Sequence, residues 1–503
     1  MADRFDFVIA GAGTAGCLLA TRLSEDPAIS VGLVEAGPDY GHYDGGGWPA
    51  EMLDARGIPV THDWGLEGDA SLLRARIVGG CSAHNACFVV WGARGDYDEW
   101  AEAAPGWSFA ALEPYLRRAE ADLETRLPEG RELSAFHHGA LDAAARLGIP
   151  RLEDFNDLDT AEGIAPVPLN ARGPVRWNSA FAYLDAARAR PNLEVIADTL
   201  VDRVAIDDGA ATGLVVRAAG GERELAAGAV VLASGAYGSP AILLRSGIGP
   251  EPALRGLEIE PVAVLEGVGA NLIEHSGVTI YFEPGDELRD SLAAQHAAGL
   301  LFQGQCGIRA ASGLCEEGLW DLQLLPWASP KASEPVEGPF ETHISIFAMK
   351  PASRGLVTLR SADPDERPRV EQRFLSDPGG RDLSVLLDGV ARARDLVATE
   401  PLASALAGEA GPAAGIAERA TLEEWARANV RGFFHPVGTC AMGPASESMA
   451  VVDQRGAVHG IAGLHVADAS IMPTIPRANT NLPTTAVADR IAALLASRAP
   501  AAI

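Results

Sequence analysis

The chain has 503 residues, of which 48% are hydrophobic and 21% charged, with a formal charge of −28. This length accommodates two or three domains or one large interwoven enzyme body, and the composition excludes a disordered chain. The acidic balance excludes nucleic acid and anionic membrane as partners, because both require basic surface; it favours solubility and, secondarily, a cationic ligand.

Residues 5–10 are short, apolar and predicted as a buried strand. Gly11-Ala12-Gly13-Thr14-Ala15-Gly16 follows, then a helix over 17–23 and a strand over 31–35, which together make a βαβ unit. Its glycines permit a tight turn and close approach of backbone to a pyrophosphate, and the helix N-terminus adds positive potential. Glu35 stands 19 residues after Gly16, where a carboxylate accepts hydrogen bonds from a ribose. Gly11, Gly13, Thr14, Ala15, Gly16, Glu35 and Ala36 are therefore expected to bind a dinucleotide. The unit alone does not separate FAD from NAD.

Further along, Trp107 to Glu124 is predicted helical, with loop-like chain to 155, and strands are predicted over 192–196, 199–206 and 229–232. The uncharged stretch 226–244 contains Gly235, Gly238 and Pro240, which fits strand, loop and helix start better than a membrane span. A second body over 276–430 mixes strands (342–347, 355–360) with helices (383–398, 422–429). Breaks at Pro284-Gly285, Pro335 to Gly338 and Gly408 to Gly415 punctuate it. A strand over 463–467 and a helix from about Thr484 close the chain. Six cysteines without CxxC pairing imply reduced thiols and a cytoplasmic location. The early strand leaves no room for a signal peptide. The histidines form no HxxxH or HxH array, so no metal site is expected.

Three other segments carry a resemblance: Arg76 to Trp100, Gly235-Ala236-Tyr237-Gly238-Ser239-Pro240 continuing to Gly249, and Phe434-His435-Pro436-Val437-Gly438-Thr439-Cys440 with Val466 to Ser470 and Asn479 to Thr484. With the βαβ unit they resemble the glucose–methanol–choline (GMC) oxidoreductases over nearly the whole chain. The resemblance implies FAD and an α/β fold (α+β overall). It also implies a discontinuous Rossmann-like FAD-binding domain over 1–155, 195–275 and 431–503, and a mixed-sheet substrate-binding domain over 156–194 and 276–430. It further implies cofactor contacts from Gly79, Gly80, Ser82, His84, Asn85, Ala86, Val204, Gly235, Asp468, Ala469 and Asn479.

The segment Gly79 to Asn85 resembles choline oxidase, which implies a covalent bond between His84 and the flavin methyl group. His435 matches the family's active-site histidine, a proton acceptor for the alcohol, and Asn481 the partner position that orients the alcohol oxygen. The helix after Pro483 is expected to point its N-terminus at the flavin. Rough alignment puts Gly307 and Leu325 where choline oxidase has a glutamate and a histidine, which argues against choline. Pro476 to Asn481 instead resembles members that oxidise furanic and aromatic primary alcohols, and Phe433 and Phe434 are expected to set two rings beside His435.

The function implied is hydride transfer from a CH–OH carbon to flavin N5. Oxygen or another acceptor takes the electrons, and a homodimer is left open. Competing readings are a choline, amino-alcohol or sugar dehydrogenase and, from another class, an FAD-containing hydroxynitrile lyase or a photodecarboxylase.

Overall fold

A computed structural model describes residues 4–68, 72–331 and 336–497. Pro335, in one of the expected breaks, lies outside them. The elements that position the site begin with β1 (Arg4–Ala10), α1 (Thr14–Leu23), β2 (Val31–Val34), α2 (Phe109–Asp122), α3 (Ala135–Arg146), β3 (Gly163–Pro166), β4 (Leu193–Ile196), β5 (Leu200–Asp207), β6 (Ala210–Ala218), β7 (Gly221–Leu232) and α4 (Gly235–Arg245). They continue with β8 (Ser276–Pro284), β9 (Cys306–Ala310), β10 (Leu322–Pro330), β11 (Phe340–Ala348), α5 (Arg381–Val397), β12 (Leu406–Ala410), β13 (Arg431–Gly432), β14 (Leu464–Val466) and α6 (Asn481–Ala496).

The first sheet runs β4-β2-β1-β7-β6-β5, with β14 also on β7. Around β1 the pairing is parallel, with Ile9 opposite both Leu33 and Val231. Strands covered on both faces must be apolar throughout, and Val8, Ile9, Leu33, Val230 and Val231 are fully buried. α1 and α6 pack together over this sheet. The carboxyl ends of β1, β2, β7 and β14 lead into Gly11, Glu35, Gly235 and Asp468, which are thereby gathered along one edge, where open parallel sheets bind ligands.

The second sheet runs β12-β8-β11-β10-β9-β3, with β13 on β8. The α/β reading holds. The expected mixed pairing of this sheet does not, because its pairings are antiparallel. Only nine residues separate β10 from β11, and a parallel pair would need a crossover of a dozen or more. Alternation along these strands divides the residues between two faces. Leu324, Ile344 and Ile346 join Leu386, Val390 and Phe136 in a core under α5 and α3. Leu325, Ser345 and Phe347 point the other way, into a cavity.

Two segments depart from the expected domain boundaries. Residues 135–146, read as loop and grouped with the first body, form α3, whose Phe136, Ala140 and Leu141 belong to the second core. Residues 180–184, grouped with the second body, bury Ala180, Phe181 and Leu184 in the first core instead. In both cases the apolar face went to the nearer uncovered sheet or helix.

Candidate active site

A cavity of about 480 Å³ lies between the strand ends of the first sheet and the free face of the second. Its first half is a backbone cradle. Gly11 has φ of 98°, and a Cβ on Gly16 would stand 1.8 Å from the Gly11 carbonyl oxygen. A Cβ on Gly80 would stand 2.5 Å from Gly13 Cα, so two glycine turns touch where any side chain would separate them. The N-terminus of α1 opens beside them. Glu35 accepts from the Ala12 N–H at 3.0 Å and the Gly37 N–H at 2.9 Å, and burial raises its carboxyl to about 7. Asp468 accepts from the Gly235 N–H at 2.8 Å and the Ser239 hydroxyl at 2.5 Å.

Gly11, Gly13, Thr14, Ala15, Glu35, Ala36, Gly80, His84, Asn85, Ala86, Gly235, Asp468, Ala469 and Asn479 all line this cavity. Four other expected contacts act behind it. Gly16 packs on Gly11, and Gly79 donates to the Ala12 carbonyl at 2.7 Å. The Ser82 hydroxyl donates to the Gly79 carbonyl at 2.6 Å, and the Val204 N–H donates to Ser246 at 2.8 Å.

His84 is buried and lines the cavity, and its Nε2 has no hydrogen-bond partner. Burial, with Arg176 and Arg74 nearby, lowers it to about 4, so the ring is neutral. A neutral imidazole with a free ring nitrogen is the nucleophilic form that bonding to a flavin methyl group requires. The cradle, the ribose acceptor and this orphaned nitrogen together fit FAD.

The candidate reactive centre is a chain of hydrogen bonds around His435. His275 Nε2 lies 3.1 Å from the Pro476 carbonyl oxygen, which can only accept, so this nitrogen carries the proton. Burial lowers His275 to about 3, which keeps it neutral and leaves its Nδ1 as an acceptor. His435 Nδ1 faces that atom at 3.0 Å and must therefore donate. His435 Nε2 is left with its lone pair, receiving the Asn479 amide at 3.2 Å. Burial also lowers His435 well below the ordinary histidine value, followed by the neighbouring His275 and Arg74. The backbone is held too. Glu274 accepts from the His435 N–H at 2.8 Å and the Phe433 N–H at 3.2 Å.

Asn481, expected as the partner of His435, is not that residue. It is the first residue of α6, and its Oδ1 accepts from the Thr14 hydroxyl at 3.0 Å. Asn479, expected as a cofactor contact only, faces His435 because it sits two residues earlier, in the loop before the helix. Arg477 fixes that loop, pairing with the buried Asp96 and donating its backbone N–H to the same carboxylate at 2.8 Å. α6 begins at Asn481, so Pro483 lies inside its first turn, and Thr480, Asn481 and Thr484 bring that turn to the cavity.

The two phenylalanines also separate. Phe433 lies 4.3 Å from the His435 ring and stacks on Phe347 at 3.6 Å and 7°. Phe434 adopts φ of 64°, which turns its side chain outward; it is 42% exposed on the cavity lining. Leu325, Trp327, His343 and Ser345 continue the wall beyond Phe347. Gly307 carries no functional group and packs against Phe155 and Leu325.

Two family models, both described as GMC oxidoreductase, match residues 5–277 and 351–488. The chain is 36% identical to 5-(hydroxymethyl)furfural oxidase of Methylovorus sp., over 98% of this chain and 99% of that protein. It is 31% identical to choline oxidase of Arthrobacter globiformis, over 99% and 95%. The fold superposes on pyridoxine 4-oxidase from Mesorbium loti with a TM-score of 0.86 at 26% identity, covering 98% of this chain and all of that one. The chain belongs to the GMC oxidoreductase family.

As a GMC oxidoreductase it is an FAD-dependent alcohol-oxidising enzyme. Glu274, His275 and His435 bring three potential metal-ligand atoms within 4.8 Å of one another, but each residue is already committed to the hydrogen bonds above. Among the described residues no helix is long and apolar enough to cross a membrane. Sequence reasoning did not single out Glu274, His275 or Asp96 as supports of the site. Their partners lie 159 to 381 positions away, beyond any local motif.

Proposed function

We propose that the enzyme oxidises a flat primary alcohol, aromatic or furanic, to its aldehyde, with His435 taking the hydroxyl proton. The carrying observation is the basic Nε2 of His435, whose lone pair meets the Asn479 amide, a donor that an alcohol oxygen can take over, beside the stacked rings of Phe433 and Phe347. Bound FAD supplies the hydride acceptor, N5 of its ring.

The protein's own contributions follow from the geometry. The alcohol hydroxyl donates to His435 Nε2, and the Asn479 amide donates to the alcohol oxygen as negative charge grows there. Burial disfavours the cationic form of His435, so its ring rests neutral and its Nε2 is able to accept the hydroxyl proton. The His275 Nδ1 acceptor keeps the donating nitrogen on the far side of the ring. The Phe433–Phe347 pair offers an apolar face to a planar substrate. The N-terminus of α6 gives positive potential on the cofactor side of the cavity. His84 is the attachment point for the flavin.

Among the described residues, the sheet wall of the cavity carries no carboxylate to pair a quaternary ammonium, which supports an uncharged alcohol over choline. The name of the furanic-alcohol relative points the same way. Six free cysteines support a cytoplasmic setting.

The test is the flavin spectrum under anaerobic addition of benzyl alcohol, furfuryl alcohol, choline and a sugar. Bleaching by the first two, and not the others, is expected. Bleaching confined to choline or the sugar would contradict the proposal.

A further inference from the structure

The hydrogen bonds around His435 do not end at His275. His435 Nδ1 donates to His275 Nδ1 at 3.0 Å, and His275 Nε2 donates to the Pro476 carbonyl at 3.1 Å. That carbonyl belongs to the same peptide unit as the Arg477 N–H, which donates to Asp96 Oδ2 at 2.8 Å. In a planar trans peptide the C=O and the N–H point opposite ways, so one unit joins His275 on one side to Asp96 on the other. An ionised carboxylate only accepts. Its place at the end gives every donor in the series the same sense, away from His435 Nε2 and toward Asp96.

Asp96 and His275 are fully buried. Asp96 also accepts from the Ala93 N–H at 3.0 Å and pairs with the Arg477 guanidinium. Lys350 Nζ lies 3.5 Å away and is bound to Glu99 at 2.6 Å. The two cations and two carboxylates balance, and Asp96 is the member bonded to the peptide N–H. An ion pair that only stapled the loop before α6 to the helix over Arg94–Ala103 would need the guanidinium and not the backbone N–H. Hydrogen bonds in series polarise one another, and the low dielectric of a buried site preserves the effect. Burial holds His275 low; the Pro476 carbonyl and then the Asp96 charge oppose this, ahead of Lys350, which adds to it.

Resting on His435 as the base for alcohol oxidation, we propose that Asp96 is the charged end of a relay, from its carboxylate through the Pro476–Arg477 peptide and His275 to His435, that stabilises the positive charge His435 acquires with the hydroxyl proton. No proton travels along the relay. His435 gains its second proton at Nε2, its Nδ1–H then bonds His275 more strongly, and each following bond tightens toward the carboxylate. Asp96 does not line the cavity, so it is a positioning residue that acts through His275.

Nuclear magnetic resonance of the FAD-loaded enzyme, isotope-labelled at histidine and arginine nitrogens, reads these protons directly. The unaltered enzyme carries the His275 proton on Nε2 and the His435 proton on Nδ1; loss of signals in His275→Phe and His435→Ala assigns them. Asp96→Asn keeps an oxygen for the Arg477 N–H and loses the charge. It moves the Arg477 amide, His275 Nε2 and His435 Nδ1 protons upfield together. Its limiting rate of anaerobic bleaching by benzyl alcohol falls roughly tenfold, a part of what a general base contributes, with half-saturation unchanged. Arg477→Met keeps the peptide N–H and the carboxylate, so its His435 proton moves no further upfield than in the unaltered enzyme. The opposite proton order in the unaltered enzyme overturns the relay, whatever the variants do. So does a His435 proton that stays in place in Asp96→Asn while the Arg477 amide moves, or one that moves upfield in Arg477→Met as well. An unchanged limiting rate in Asp96→Asn does the same. No bleaching by any alcohol, with the proton shifts as expected, leaves the relay standing and removes the alcohol reading instead.

Discussion

His275 and His435 meet through their Nδ1 atoms at 3.0 Å, across 160 positions of sequence. Because the Pro476 carbonyl fixes the proton on His275 Nε2, this contact dictates which nitrogen of His435 is basic. His275→Phe removes the acceptor and frees His435 to adopt the other tautomer. General-base catalysis contributes about 10²–10⁴-fold, so losing the tautomer preference lowers the anaerobic bleaching rate by roughly tenfold. The pH profile adds a signature. Burial holds His435 well below the ordinary histidine value, so the unaltered enzyme shows a steady rate from neutrality down past 6.5. In His275→Phe the buried ring also loses the acceptor that favours its cation, so the acid limb moves further down. A loss of rate with an unmoved limb would mean that His275 only fills space.

Asn479 and Asn481 are chemically identical and two residues apart, yet only Asn479 faces His435. Donors aimed at developing oxyanions are worth about 10²–10³-fold. Asn479→Ala therefore slows bleaching on that scale. Asn481→Ala disturbs the Thr14 contact and the start of α6, and its effect falls on cofactor retention. Stopped-flow rates and flavin content of the two variants separate the roles.

The orphaned Nε2 of His84 predicts covalent flavin. Acid-precipitated enzyme gives a yellow pellet, and His84→Ala gives a colourless pellet with the flavin in the supernatant. A colourless pellet from the unaltered protein would contradict the attachment.

Glu274 predicts a pH-dependent stability. Burial raises its carboxyl from 4.5 to about 7 in the folded state, against the lowering effect of Arg74 and the backbone N–H groups. Between those values the folded state holds a proton that the unfolded state has released, so stability falls as pH rises through this window. Glu274→Gln removes that contribution. Its melting temperature, measured relative to the unaltered enzyme, should climb between about pH 5 and 7 and then level off. A constant difference across the window would rule out the raised carboxyl.

The parts of this enzyme that were legible in its sequence are those specified locally. The turn from Gly11 to Gly16 needs glycines because backbone touches backbone within six residues, and that spacing is written in the chain. His435 was legible through its resemblance to a family motif. Its partner was not, because the start of α6 decides which of two asparagines enters the cavity, and helix starts are set by tertiary packing. Phe434 looked equivalent to Phe433 until a positive φ turned it outward. α3 was hidden for a related reason. Its helix buries one face against a sheet most of whose strands come more than a hundred positions later, and the charged chain before it gave no warning.

The most direct test of the central claim, that His435 Nε2 is the base for alcohol oxidation, is the anaerobic bleaching rate with benzyl alcohol in the unaltered enzyme and in His435→Ala. The expected result is a fall of about 10²–10⁴-fold in the variant, with flavin still bound and still reduced by dithionite. A variant that bleaches within about twofold of the unaltered rate, well short of what a general base contributes, would show that the proton goes elsewhere.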